Sequence, residues 1–214
     1  MRAARFYAAG TPLRMEEVPI PALRSGEARV EVKGCGICGT DLHIALEGTI
    51  TLSQTPITLG HEAAGVVAEV GPEVTDWAPG DRVAIFPNVA CGSCYPCREG
   101  REVLCLNAQV LGLNRDGAFA EFVTLPASCL LTLPEAVPFT VGAIAADAVS
   151  TAYRAVVGRG ALRSGERVAV FGCGGLGVHG IKIARLMGAS QVIAVDVAPG
   201  ALRRAREAGA TETV

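Results

Sequence analysis

The sequence predicts two folded regions of different class: a β-rich region that ends near Leu133 and an α/β region that begins near Pro138. In the first region, short apolar runs such as "ARVEVK", "GVVAEV" and "FAEFVTL" alternate with glycine and proline turns, as expected of short β-strands. In the second, alanine-rich helical stretches alternate with "RVAVFG" and "QVIAVDV", which suit strands buried on both faces of a parallel sheet. The predicted class is therefore α+β followed by α/β, with domains over residues 1–137 and 138–214.

Length and composition allow a sizeable core and disfavour several classes of partner. The chain has 214 residues, and 50% of them are hydrophobic, which suffices for one large or two smaller domains. Its net charge of -2, with both signs interspersed, provides no positive field for nucleic acid or an anionic membrane surface. The sequence shows neither a signal peptide pattern nor an apolar run of about 18 residues. We therefore expect a cytoplasmic protein without nucleic-acid or membrane partners.

Four of the eight cysteines lie close together in "CGSCYPCREGREVLC", with C-x2-C-x2-C-x7-C spacing. Four thiolates in a compact segment suit a closed tetrahedral site, which predicts structural zinc. An iron–sulfur cluster is one alternative, but the bacterial ferredoxin pattern has a shorter last gap followed by proline, whereas Leu106 follows here. Four unrelated buried cysteines are the other alternative. The predicted zinc ligands are Cys91, Cys94, Cys97 and Cys105.

A second metal site is suggested by "GCGICGTDLH" at residues 34–43 and "LGHEAAG" at residues 59–65. Cys38, His61 and Glu62 together offer one thiolate, one imidazole and one carboxylate. Three such ligands leave a fourth zinc position open for a substrate oxygen, which is typical of catalytic zinc. Alternatively, Cys35 and Cys38 form a redox pair, but such a pair would be expected to open a helix beside a βαβ unit rather than lie in a β-rich region.

The segment "RVAVFGCGGLGVHGIKIARLMGA" has the G-x-G-x-x-G pattern between a predicted strand and a predicted helix. This context favours a dinucleotide site, because the glycines permit a tight turn and the helix N-terminus attracts a pyrophosphate. Asp196 ends the next predicted strand, where a carboxylate accepts hydrogen bonds from ribose hydroxyls and repels a 2'-phosphate, so NAD is favoured over NADP. The predicted loop residues are Gly172, Gly174, Gly175, Leu176 and Gly177.

In this order along the whole chain, "GCGICGTDLH", "LGHEAAGVVAEVG", the four-cysteine segment and "GCGGLG" resemble the zinc-dependent medium-chain alcohol dehydrogenase family. The resemblance implies a GroES-like, β-rich catalytic domain followed by the first part of a Rossmann dinucleotide-binding domain. It also implies NAD, two zinc ions per chain (one catalytic and one structural), and hydride transfer between NAD and an alcohol or polyol, or the matching ketone or aldehyde. For the full-length form it implies a homodimer or homotetramer.

The resemblance also assigns the ligands of the catalytic zinc. Cys38 and His61 match two ligand positions of the family. Asp147, four residues before Thr151 in "DAVSTAY", matches the third ligand position. An aspartate at that position, in place of cysteine, is seen among polyol, threonine and secondary-alcohol relatives. The resemblance gives Cys35 no role and places Thr151 near the nicotinamide ring.

Further roles implied by the resemblance concern the proton and the surroundings of the metal. Thr40 and His43 resemble the relay that carries the alcohol proton through the cofactor ribose to solvent, and an ordinary imidazole suits that task. Glu62 resembles a glutamate near the zinc, and Asp41 resembles the carboxylate that fixes the tautomer of the ligand histidine. The alternative for Glu62 and Asp41 is that they are ordinary turn residues.

Three other interpretations of the sequence stay open. A quinone-reductase-like relative would share the fold but lack zinc, and a zinc-ribbon interaction module would explain only the four cysteines. An inactive truncated fragment is the third, because family members extend further and a parallel sheet of about two strands cannot cover its own edges. For such a fragment we expect poor NAD binding and little turnover. The particular alcohol is not readable from the sequence.

Overall fold

The computed structural model describes all 214 residues and divides into two compact units, Met1–Ala146 and Asp147–Val214. The division falls inside a continuous helical run over residues 139–159, and the domain boundary placed between residues 137 and 138 from the sequence stays a prediction. No helix is both long enough and apolar enough to cross a membrane.

The strands are β1 Arg2–Phe6, β2 Arg14–Glu17, β3 Glu27–Gly36, β4 Ile57–Thr58, β5 Glu62–Val70, β6 Arg82–Ile85, β7 Asn88–Val89, β8 Gln109–Val110, β9 Phe122–Pro126, β10 Leu130–Thr132, β11 Arg167–Phe171, β12 Gln191–Val195 and β13 Glu212–Thr213. The α-helices are α1 Gly39–Leu42, α2 Tyr95–Arg98, α3 Phe139–Ile144, α4 Ser150–Tyr153, α5 Gly175–Leu186 and α6 Pro199–Glu207. Short π-helical segments at His43–Glu47, Ala145–Val149 and Arg154–Arg159, and 3₁₀ turns at Glu102–Leu104 and Ala127–Cys129, complete the elements.

The first unit is built on a five-stranded antiparallel sheet with the order β10-β6-β5-β3-β9. Along β3, Ala28 and Val30 are fully buried while Arg29 between them is partly exposed, the period of two expected of a strand with one buried face. The buried side chains join those of Val67 and Leu125 in one core. The β-rich class predicted for this region is confirmed.

Two smaller sheets complete the first unit. β2, β1 and β4 form an antiparallel sheet in that order, and β7 pairs with β8 on either side of the four-cysteine segment. Helix α3 packs on β3 and β5, with the Phe139 carbonyl facing Gly34 of β3.

The second unit contains a parallel sheet of order β11-β12-β13 with α5 and α6 packed on it. Buried Ile181, Val192 and Ala205 belong to its core, so the α/β class predicted for this region is confirmed. The sequence predicted only the first two strands. The third, β13, has two residues and no apolar run, and it forms because Glu212 and Thr213 lie opposite Ile193 and Ala194 of β12.

Candidate functional site

The pairing of β3 with β5 brings Cys38 close to His61. Gly36, the last residue of β3, lies opposite Glu62, the first residue of β5. Cys38 follows two residues after β3, and His61 immediately precedes β5. As a result, the Cys38 thiol and a ring nitrogen of His61 lie within 4.8 Å of each other, although 22 residues lie between them in the sequence. This distance suits two ligands of one metal ion.

Asp41 connects the segments that carry these two residues. Its Oδ2 accepts a hydrogen bond of 2.9 Å from the Cys38 backbone N–H, and its Oδ1 accepts one of 3.3 Å from the Gly60 N–H. The same Oδ1 is 3.7 Å from His61 Nδ1. Asp41 and His61 are each only 4% exposed, so the carboxylate has a fixed position beside the imidazole. Asp41 is therefore a structural bridge rather than a surface turn residue.

Thr40 and His43 lie on the helical turn that follows Cys38. Thr40 Oγ1 is 3.7 Å from the Cys38 sulfur, which places the hydroxyl beside the expected metal position. His43 begins the π-helical segment that continues α1, and its side chain is 51% exposed. The Thr40 hydroxyl thus lies close to the Cys38 sulfur, whereas the His43 ring, further along the same helical segment, is open to solvent.

Glu62 lies within the sheet, 3% exposed. Its side chain occupies space that a side chain at Gly36 would fill, because a Cβ on Gly36 would stand 2.3 Å from Glu62 Oε2. Glycine in β3 is therefore what permits a carboxylate at this position beside His61.

Cys35 lies in β3, and burial, with a further contribution from the Asp41 carboxylate, raises the pKa of its thiol to about 12. Cys38 does precede a helix, contrary to the expectation from sequence, but α1 has only four residues and follows an antiparallel strand. A reactive C-x-x-C pair needs a lowered pKa, so these surroundings disfavour the redox alternative.

The four clustered cysteines lie in a segment that we call the cysteine lobe, residues 91–105. Their sulfur atoms all lie within 4.8 Å of one another, and no disulfide joins any of the eight cysteines. The sulfur of Cys94 is 3.3 Å from that of Cys97 and 3.8 Å from that of Cys105. Such a convergence of four thiols matches the donor set of a closed zinc site.

Backbone amides in the cysteine lobe favour the thiolate forms that bind zinc. The N–H groups of Ser93 and Cys94 lower the pKa of the Cys91 thiol to about 5. The N–H groups of Cys97 and Leu106 likewise lower the pKa of Cys94. In addition, the Cys91 N–H donates to the sulfur of Cys105 over 3.2 Å. The turns of the lobe thus stabilise negative charge on the Cys91 and Cys94 sulfur atoms, whereas burial raises the pKa of the Cys97 thiol to about 12.

In the second unit, Asp147 and Thr151 are linked. Asp147 is the first residue of that unit and lies in the π-helical segment Ala145–Val149. The Thr151 hydroxyl donates to Asp147 Oδ1 over 3.1 Å, and the Ser150 hydroxyl donates to the Asp147 carbonyl over 3.3 Å. The orientation of the Asp147 carboxylate is therefore held by the Thr151 hydroxyl, one helical turn further along the chain.

The predicted glycine loop connects β11 to α5 as expected from the sequence. Gly172 has a φ of 83°, a left-handed conformation that favours glycine. A Cβ at Gly177 would lie 1.9 Å from the Gly172 carbonyl oxygen, so the helix can begin against the strand only with glycine there. Gly174, Gly175 and Leu176 are exposed, which leaves the N-terminus of α5 accessible.

Asp196 stands at the end of β12 and supports this loop. Its Oδ2 accepts a hydrogen bond of 2.7 Å from the Cys173 N–H, and its Oδ1 accepts one of 2.8 Å from the Ala198 N–H. These backbone donors lower the pKa of the carboxyl group. Cys173 is fully buried and packs in the core. Asp196 therefore has a structural role that the sequence did not indicate.

One neighbour of the predicted site residues was not recognised from the sequence. Glu47 Oε2 lies 2.7 Å from His43 Nδ1. The signal was available, because a histidine and a glutamate four residues apart lie on the same side of a helix. It was weak, since "HIALE" lies within the β-rich region, in which no helix was expected.

A β-rich unit in which a thiol approaches an imidazole and four further thiols converge, followed by an α/β unit with a glycine-rich strand-to-helix loop, is the architecture of a medium-chain dehydrogenase. Residues 24–135, just over half of the chain, match the family described as the alcohol dehydrogenase GroES-like domain. The chain therefore belongs to the alcohol dehydrogenase family with a GroES-like domain.

Individual relatives agree with this membership. The chain is 37% identical to an NAD-dependent alcohol dehydrogenase of Sulfurisphaera tokodaii, over 98% of this chain and 62% of that protein. It is 34% identical to a sorbitol dehydrogenase of Bacillus subtilis, over 94% of this chain and 58% of that protein. The crystal structure of galactitol-1-phosphate dehydrogenase from Escherichia coli superimposes with a TM-score of 0.92 at 31% identity, covering 100% of this chain and 60% of that one. The chain thus spans about three fifths of the length of these relatives.

Proposed function

We propose that this protein is a zinc- and NAD-dependent oxidoreductase that transfers hydride between NAD and an alcohol or polyol, or the corresponding ketone or aldehyde. The observation that carries the proposal is the approach of the Cys38 thiol to the His61 ring within 4.8 Å, at the pairing of β3 with β5. A thiolate and an imidazole from separate segments suit zinc, and the bridging Asp41 carboxylate supports their arrangement.

Cys38, His61 and Asp147 would hold the catalytic zinc, and the four thiols of the cysteine lobe would hold the structural zinc. A bound catalytic zinc supplies a Lewis acid that polarises the substrate oxygen and lowers the pKa of an alcohol hydroxyl. Asp41 and Glu62 would provide buried negative charge beside the cation, and each is less than 5% exposed. We thus propose two zinc ions per chain, one that takes part in catalysis and one that stabilises the structure of the cysteine lobe.

Thr40 and His43 would move the proton that an alcohol loses. The Thr40 hydroxyl, 3.7 Å from the Cys38 sulfur, is placed to accept a hydrogen bond from a substrate hydroxyl near the metal position. His43, half exposed, can exchange a proton with water. Transfer from an inner hydroxyl to an outer imidazole would take the proton out of the site.

The glycine loop and Asp196 would bind the dinucleotide, and bound NAD supplies the hydride acceptor. The exposed N-terminus of α5 offers backbone N–H groups to a pyrophosphate. Asp196 already accepts two backbone hydrogen bonds, and its remaining lone pairs can accept from ribose hydroxyls. Thr151, hydrogen-bonded to Asp147, would lie near the nicotinamide.

Among alcohols, we propose a polyol or secondary alcohol as the substrate class. Two of the relatives described above carry the names of polyol dehydrogenases, for sorbitol and for galactitol 1-phosphate. An aspartate rather than a cysteine as the third proposed ligand agrees with this choice. A cytoplasmic location and a homo-oligomeric full-length form belong to the same proposal.

The test is the zinc content of the purified protein, measured by inductively coupled plasma mass spectrometry. We expect two zinc ions per chain, one after Cys38→Ala and one after Cys97→Ala. Cys129→Ala is the matched control, because Cys129 is a buried cysteine of the sheet core outside both sites. It should retain two.

Hydride transfer from sorbitol and other polyols to NAD, followed by NADH absorbance, completes the test. Activity should be lost in Cys38→Ala and retained in Cys129→Ala. A single zinc that Cys97→Ala removes and Cys38→Ala leaves would favour a zinc-ribbon interaction module instead. A protein without zinc would contradict both functions.

A further inference from the structure

The segment after Cys38 forms a short, well-defined helical turn. Helix α1 continues as the π-helical segment His43–Glu47 and ends at Gly48, whose φ of 66° is left-handed. The N–H groups of Gly48 and Thr49 both donate to the His43 carbonyl. These bonds close the turn, and they hold residues 43 and 47 on the same side of it.

Within this turn the His43 ring meets the carboxylate of Glu47. His43 Nδ1 and Glu47 Oε2 are 2.7 Å apart, the length of a strong, charge-assisted hydrogen bond. An ionised carboxylate can only accept, so the hydrogen must be on Nδ1. In the neutral ring the other nitrogen, Nε2, is then a lone-pair acceptor. An imidazole in water prefers the opposite arrangement, with the hydrogen on Nε2.

We infer that Glu47 is a positioning residue that favours the Nδ1–H tautomer of His43 and so presents Nε2 as the atom that accepts a proton. Glu47 is the carboxylate within ion-pair distance of this ring. The nearby Asp41 directs its oxygens to the backbone of Cys38 and Gly60 instead. The significance of the tautomer rests on the proposed function, in which His43 takes up the alcohol proton, whereas the tautomer itself follows from the contact alone.

The exposure of the pair indicates that this contact orients the ring rather than stabilises the fold. The side chains of His43 and Glu47 are 51% and 52% exposed, and exposed ion pairs contribute little to stability. Glu47→Ala should therefore fold and bind zinc as the unaltered protein does. Glu135→Ala is a matched control, because it removes an exposed carboxylate from the turn after β10, far along the chain.

The test is long-range ¹⁵N–¹H NMR of the histidine rings in the protein as purified, at about pH 8.5, where an ordinary imidazole is neutral. The chain has three histidines, so the signals that disappear in His43→Gln identify His43. We expect the same ratio of Nδ1–H to Nε2–H in the unaltered protein and in Glu135→Ala. In Glu47→Ala the ratio of Nδ1–H to Nε2–H should fall about two- to fivefold, the range that an exposed charged contact supports.

Equal ratios in Glu47→Ala and Glu135→Ala, or a higher share of Nδ1–H in Glu47→Ala, would overturn the inference. The result is independent of the zinc count and of turnover. A protein that fails the zinc test can still show the Nδ1–H tautomer, and a protein with two zinc ions can still lack it. The two proposals therefore fail separately.

Discussion

Gly36 and Glu62 show how one residue without a side chain determines the position of a charged one. They lie opposite each other in the β3–β5 pair, and Glu62 is buried beside His61. A methyl group on Gly36 would stand 2.3 Å from Glu62 Oε2 and 2.9 Å from Ile144 Cγ2. The glycine is therefore needed for packing, not for an unusual backbone angle.

Gly36→Ala should lower the free energy of unfolding by about 1–3 kcal/mol, because Glu62 and Ile144 must both move in a packed region. Urea unfolding followed by the fluorescence of Trp77 measures this, since Trp77 is the single tryptophan and packs against the sheet core. Gly39→Ala is the control, because a Cβ there meets nothing within 4 Å. Equal stability of the two variants would show that the space beside Glu62 is not restrictive.

At the scale of elements, the connection from β11 to α5 depends on close contact between a loop and the helix that follows it. Gly177, on the first turn of α5, faces the Gly172 carbonyl, and Asp196 at the end of β12 holds the Cys173 N–H of the same loop. A close backbone approach and a side-chain-to-backbone hydrogen bond thus join a strand, a loop and a helix. Such a connection tolerates no added atom at its centre.

Gly177→Ala should displace the start of α5, since its Cβ would lie 1.9 Å from a carbonyl oxygen. We expect a loss of about 2 kcal/mol or more in the stability of this unit, at the upper part of the overpacking range. Hydrogen exchange of the α5 amides is the measurement. Gly175→Ala has open space around its Cβ and should leave exchange unchanged or slower, because alanine favours helix. Faster exchange in both variants would instead indicate a general sensitivity of the loop.

At the scale of the whole molecule, the sequence was most informative where structure depends on local pattern. Short apolar runs between glycine and proline turns predicted the β-rich class, and the C-x2-C-x2-C-x7-C spacing predicted the convergence of four thiols that the cysteine lobe shows. Contacts between distant segments were not readable. The bond from the Gly60 N–H to Asp41 depends on strand register, and β13 depends on its neighbour β12. Neither leaves a periodic signal in the chain.

The cysteine lobe has little apolar packing of its own, which distinguishes it from the remainder of the first unit. Tyr95, Val103 and Leu104 are all exposed. Removal of zinc by a chelator should therefore unfold residues 91–105 locally, because metal ligation replaces a hydrophobic core in such segments. Hydrogen exchange should rise by at least about tenfold in the lobe and little in β3 and β5. Protection of the lobe that persists without metal would contradict a structural zinc.

The register of β3 against β5 also has an evolutionary consequence. Cys38 and His61 are positioned by strands that are hydrogen-bonded to each other, whereas residues 49–56 between them form a largely exposed excursion. Lengthening a surface loop costs little, about 0.6 kcal/mol for each doubling. Insertions and deletions can accumulate in this excursion while Cys38 and His61 keep their separation. The surface near these two side chains can thus diverge among descendants of the chain without displacing the proposed zinc ligands.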